Sequence, residues 1–184
     1  MNQKQKDYDK NVSAFAEKFI RIKIPDDKIR KITSLVNKII ERKKHEKHHQ
    51  KDPYKEKQRF TTGFLGEAAL EILLGINIID DTIGHSSDYH RPDIPGYKVG
   101  IKSVEFGNYP IIFKNNWYPQ IICIVYKNYV YVCGLATSQI LNTYQSEEYI
   151  KSPYLRQRKT KTGFYGFEHL IPIQSLDDLD IYKT

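Results

Sequence analysis

Asp88-Tyr89-His90-Arg91-Pro92-Asp93-Ile94-Pro95-Gly96-Tyr97-Lys98-Val99-Gly100-Ile101-Lys102-Ser103 is the stretch of this 184-residue chain that decides its fold. Proline fixes the backbone ahead of Asp93, and Pro95-Gly96 is a strong turn signal. The Asp93 carboxylate therefore falls where one strand ends and the next begins. The β-branched run at residues 99–104 predicts a strand with Val99 and Ile101 on one face and Gly100, Lys102 and Val104 on the other. An unpaired ammonium inside such a strand is costly, so Lys102 requires an anionic neighbour: a carboxylate, a phosphate or both.

The length suits one good core, or a core with a helical appendage. No stretch resembles a signal peptide or a membrane span, and the longest apolar run, residues 121–126, is strand-sized. The two cysteines, Cys123 and Cys133, lie in apolar strand-like runs and read as buried thiols of a cytoplasmic protein. Zinc would need more ligands than these supply. The net charge of +7 is unevenly placed: residues 1–60 hold 18 Lys/Arg against 9 Asp/Glu, and the rest hold 11 against 13. A basic arm on a nearly neutral core suggests a polyanion, most commonly nucleic acid. A solvated lysine-rich surface is the alternative.

Along the chain, residues 1–10 are polar and expected to fray, and residues 12–19 carry apolar residues at helical spacing. Pro25-Asp26-Asp27 opens a second helix with the stripe Ile29, Ile32, Leu35, Val36, Ile39 and Ile40. It runs into a basic segment containing His45, His48 and His49. No carboxylate or thiol completes a metal set there, which favours a solvated helix end or a phosphate-contacting patch. A third helix is expected over residues 59–75, with Gly75 as its cap and Glu67 and Glu71 stacked on one side. Gly63 and Gly66 would let another backbone come close. Residues 76–79 read as a first strand and residues 111–113 as another. Residues 120–126 and 129–132 form a hairpin turning at Lys127-Asn128, and Thr137 or Ser138 caps a late helix. Residues 152–161 are basic with Tyr154 and Tyr165 interleaved, and residues 169–173 read as an edge strand.

Pro92-Asp93, followed by Lys102 on the next strand, resembles the core of the PD-(D/E)XK nuclease superfamily. The resemblance covers roughly residues 58–180. It draws further on Gly63-Phe64-Leu65-Gly66-Glu67 and on Gly134-Leu135-Ala136-Thr137 stepping into a late helix. It implies a restriction-endonuclease-like α/β fold, with a mixed sheet of four or five strands flanked by helices. A basic helical region at residues 1–57 would precede a nuclease-like core at residues 58–184. The implied activity is a Mg²⁺- or Mn²⁺-dependent endonuclease of restriction or phage type that hydrolyses DNA. Asp93 and Glu67 would be the metal ligands, Lys102 would orient the attacking water, and Lys43, Lys44, Lys47, Arg156, Arg158 and Lys159 would contact DNA. Enzymes of this fold that cut both strands are often dimers, so a homodimer is among the implied assemblies.

The pattern's middle acid falls at Gly100, which can ligate nothing. Another acid could replace it: Asp88 and Glu67 qualify, while Glu105 by alternation faces away unless a bulge intervenes. Otherwise catalysis has been lost with DNA binding retained, or Gly100 is an inactivating substitution. The sequence gives this strand glycine no obvious packing reason. The main alternative is a non-catalytic nucleic-acid-binding protein on the same fold, and a third is a protein-interaction module with a basic arm.

Overall fold

The computed structural model describes residues 3–43, 52–80 and 92–184. In chain order it comprises α1 (Gln3–Asn11), a 3-10 turn (Ser13–Lys18), β1 (Ile20–Lys23), α2 (Asp26–Lys43), α3 (Pro53–Leu74), β2 (Gly100–Glu105), β3 (Ile111–Phe113), β4 (Gln120–Tyr126), β5 (Tyr129–Ala136), α4 (Ser138–Thr143), β6 (Gln145–Ser146), α5 (Pro153–Gln157) and β7 (Lys161–Phe164). The protein is mixed α/β. Its main sheet has the order β1-β5-β4-β2, and a second sheet has the order β3-β7-β6. In the main sheet β2 runs parallel to β4, while β4–β5 and β1–β5 are antiparallel.

Strand alternation divides the core in two. Ile121, Cys123 and Val125 of β4 face α2 and α3, meeting Ile32, Val36, Ala68, Ala69 and Leu70. Ile122 and Ile124 face the other way, toward Tyr8, Val12, Ile112, Phe164 and Phe167. The N-terminal residues thus enter both halves of the core, β1 completes the sheet, and residues 57 and 58 lie inside α3. Both cysteines are buried and free. Among the described residues, no helix is long and apolar enough to cross a membrane.

Local chemistry explains the boundaries. Asp52 caps α3 by accepting from the Tyr54 and Lys55 amides, and Pro53 starts it. Gly75, left-handed at φ 68°, ends it. Thr137 caps α4 through the Ile140 amide. The β4–β5 turn passes through Lys127 at φ 56°.

Several expectations need correction. Residues 3–11 are helical rather than frayed, and residues 13–18 form a 3-10 turn, because Tyr8 and Val12 are buried together in the second half of the core. Residues 76–79 are no strand: the Ile78 and Ile79 amides donate to the Glu71 carboxylate and have no strand partner. Residues 169–173 make only a single bridge, Ile171 to Leu135. The basic stretch at 152–161 forms α5 followed by the start of β7.

The two α3 glycines differ sharply. A Cβ on Gly66 would run into Ser103 Oγ and lie 2.9 Å from Ser103 Cβ, whereas a Cβ on Gly63 would meet nothing within 4 Å. Gly66 is thus the point where α3 settles onto β2. Gly63→Ala should stabilise the protein by about 0.5–1 kcal/mol, the usual gain of replacing a helix-interior glycine. Gly66→Val should destabilise it by about 2–3 kcal/mol through overpacking. Denaturant unfolding of the two variants checks the opposite signs.

Candidate active site

Asp93 is held by the turn that precedes β2. Its amide and that of Ile94 both donate to the Val99 carbonyl, closing a tight loop through Gly96 at φ 78°. Its Oδ2 accepts from the Ile101 amide at 2.6 Å, which ties the carboxylate to the first turn of β2. One residue further, Lys102 lies on the opposite face of the strand from α3 and is half-buried. Glu67, also half-buried, reaches the site from α3, next to the Gly66 contact.

Asp93 acts on each of the other two. Burial pushes the Glu67 carboxyl up to about 8, and the nearby Asp93, Glu71 and Asp80 charges push the same way. Burial also raises Asp93, opposed by the Ile101 amide and by Lys102. Lys102 is pulled down by burial, with Asp93 resisting and Arg59 adding to the fall. Asp93 is therefore the shared member, repelling Glu67 and attracting Lys102. Lys161, at the start of β7, extends the series: burial, then Lys102 and Arg158, lower it to about 8.

Gly100 has a packing reason that its sequence context conceals. A Cβ there would lie 3.0 Å from Tyr118 Cε2, 3.3 Å from Asp93 Oδ2 and 3.4 Å from Gln120 Cγ. The Tyr118 ring covers the space that the missing acid would enter. Tyr118 is itself raised by burial and by Asp93. Tyr118, Gln120, Arg59 and Lys161 are the neighbours that sequence reasoning missed. The usable signal was parallel pairing, which puts Gly100 opposite Gln120.

Other expected residues fare differently. Glu71 is structural: it pairs with Lys28 of α2 and accepts from the Ile78 and Ile79 amides. Glu105 points toward α3, as alternation requires, and accepts from Gln58 Nε2 at 2.7 Å. Arg156 serves its own loop, donating to the Ile150 and Glu148 carbonyls. Arg158 sits over the Tyr154 ring, and Lys159 occupies a left-handed position at φ 54°. Asp88, Lys44, Lys47, His45, His48 and His49 lie outside the described residues, as does the side chain of Lys43, which ends α2. Among the described residues, no group of three or more His, Cys, Asp or Glu side chains is arranged to hold a metal ion. Between α3 and the outer side of β2 runs a cleft of about 330 Å³, lined by Lys55, Arg59, Ser103, Asn108 and Lys151 among others. No family model, curated protein or solved structure matches the chain.

The raised Glu67 has a measurable consequence. A carboxyl whose folded pKa exceeds its unfolded value costs stability as pH rises between the two, because the unfolded chain releases the proton first. For Glu67 that window runs from the ordinary 4.5 to about 8. Glu67→Gln should therefore gain thermal stability relative to the native chain between pH 5 and pH 8, and the gap should level off above that. Melting curves in chelator across this range test it, and a gap that shrinks with pH would contradict the site's electrostatics.

Proposed function

We propose that this chain is a divalent-metal-dependent endonuclease that hydrolyses DNA phosphodiester bonds on a restriction-endonuclease-like fold. The observation that supports the reading is that Asp93, tied to β2 through the Ile101 amide, lies near enough to act on both Glu67 of α3 and Lys102 of β2. Two carboxylates that repel each other are hard oxygen donors suited to Mg²⁺, which retains several waters and needs few protein ligands. Asp93 and Glu67 would hold the ion, which supplies Lewis-acid stabilisation of a phosphoryl oxygen and activation of water. Lys102 would place its ammonium against the phosphate oxygens and offset charge that builds there. Asp93, through its bond to the Ile101 amide, fixes the carboxylate against β2 and keeps Lys102 near. Arg59 and Lys161, both close enough to act electrically on Lys102, would neutralise flanking phosphates. Lys43, Lys44, Lys47, Arg158 and Lys159 remain candidate backbone contacts.

A second reading has one observation in its favour. The Tyr118 ring occupies the place of the third acid, as it would in a protein that binds nucleic acid on this fold without cutting it.

Cleavage of plasmid and linear DNA with Mg²⁺ or Mn²⁺ decides between the two. Under the endonuclease reading, Asp93→Asn and Lys102→Ala should each lower the rate at least about 100-fold while DNA affinity in chelator changes little. Absence of cleavage by the native chain, with DNA binding intact, would favour the binding-only reading.

Position 100 gives a sharper test. Gly100→Glu alone should gain little, because its side chain meets the Tyr118 ring. Gly100→Glu combined with Tyr118→Ala should tighten Mg²⁺ binding and raise cleavage above that of Tyr118→Ala alone. Calorimetric metal titration of the two chains measures this. Equal metal affinity would show that position 100 does not face the ion.

A further inference from the structure

Trp117 is the only tryptophan in the chain, and it is 88% exposed. A large apolar ring left in water is unfavourable, and loops ordinarily relax to cover it. Here the loop between β3 and β4 is held at its base by side-chain hydrogen bonds while the indole stays exposed. Asn116 is buried, its amide and Nδ2 donating to Asn142 Oδ1 at 2.9 and 3.0 Å, and its Nδ2 also donating to the Phe113 carbonyl. Asn142 Nδ2 returns a bond to the Asn116 carbonyl at 3.2 Å. Gln145 Nε2 holds the Lys114 carbonyl, and Lys114 pairs with Glu147. The loop is thus clamped to α4 and β6 on one side of Trp117. On the other side the Tyr118 ring lies against Gly100, its Cε2 3.0 Å from where a Cβ there would stand. Trp117 therefore adjoins in sequence the residue whose ring lies against Gly100.

Other exposed rings of the chain carry cations. Phe113, four residues earlier and half exposed, carries Lys161 Nζ 3.0 Å from its ring centroid. Tyr154, 66% exposed, carries Arg158 over its face. Exposed rings interleaved with cations suit a polyanion whose repeating unit is flat and aromatic. A paired base inside a duplex hides its face in the stack, so a projecting indole stacks most cheaply on an unpaired or extruded base.

We propose that Trp117 is a stacking post for an unpaired nucleobase, held beside the Glu67–Asp93–Lys102 cluster while the neighbouring cations take the phosphates. This deepens the nucleic-acid reading above and rests on it: the substrate carries an unpaired nucleotide next to the phosphate that is acted upon.

The single indole makes the test direct. The full chain, in chelator to prevent cleavage, is titrated with a single-stranded oligonucleotide, a fully paired duplex and the same duplex carrying a one-nucleotide bulge. Tryptophan emission and the anisotropy of a labelled strand are followed together. The proposal expects emission to be quenched by the single strand and by the bulged duplex, and little by the paired one. Quenching by the bulged duplex but not the single strand would place the source in an extruded base and still support stacking. Trp117→Ala should weaken single-strand binding about 5- to 100-fold, with Trp117→Phe restoring most of it. Nucleic acid that binds by anisotropy without changing emission, or quenching equal for paired and unpaired DNA, overturns the stacking role and leaves the nucleic-acid reading standing. Absence of anisotropy change with every nucleic acid at low salt overturns both. Self-association of the free chain that Trp117→Ala abolishes would assign the ring to a contact between copies and overturn the proposal.

Discussion

The parallel pairing of β2 with β4 is the constraint on which the site depends. It sets Gly100 opposite Gln120 and Lys102 opposite Ile122. The residues that lead into β4 must then pass beside the start of β2, where Asp93 is tied to the Ile101 amide. A slip of one residue would carry Lys102 into the helix-covered half of the core and Ser103 out of it. The register is held from the other face as well. Gly66 lets α3 come down onto Ser103, and Gln58 and Thr62 engage Glu105 two residues further along. Glu67 follows Gly66 directly, so its position next to Asp93 is a consequence of how closely helix and strand approach.

The charges so assembled are frustrated in a particular order. Glu67 stands against Asp93, Asp93 against Lys102, and Lys102 against Lys161 and Arg59. Only the middle pair attracts. Burial is the first cause of the shift at Glu67, Lys102 and Lys161, and a like charge adds to it at each. Stability alone would favour replacing one member at each end. A hard cation at the acidic end and a phosphate at the basic end would relieve both repulsions at once. That coincidence is the strongest electrostatic argument for the proposed substrate.

How far the sequence could be read follows from the range of each interaction. The body of helix α3, its Gly75 cap, the β4–β5 hairpin and the Thr137 cap depend on neighbours within a few residues, and local patterns revealed them, whereas the start of α3 at Asp52-Pro53, six residues ahead of the expected one, went unread. The carboxylate of Asp93 and the ammonium of Lys102 were legible for the same reason, because one turn and one strand join them. Residues 76–79 were misread because an apolar run does not say whether its amides find a strand or, as here, the Glu71 side chain. Tyr118 and Lys161 were missed because they are distant in sequence and reach the site only through β-sheet pairing. The glycine at position 100 looked unmotivated for that reason: its neighbour is a ring 18 positions away.

Tyr118 and Trp117 together show how one loop can serve two purposes. Tyr118 turns inward and fills the gap left by a glycine, while Trp117 turns outward into water. The loop just before them is held by a hydrogen-bonded asparagine pair and not by burial of the indole. Such an arrangement gains nothing in folding from the largest apolar side chain available. It does spare a binding partner the entropy of ordering that side chain, because an indole already held on a clamped loop loses little freedom on contact. A flat partner that covered the ring would return the folding stability given up at Trp117, which is the energetic basis of the proposed stacking role.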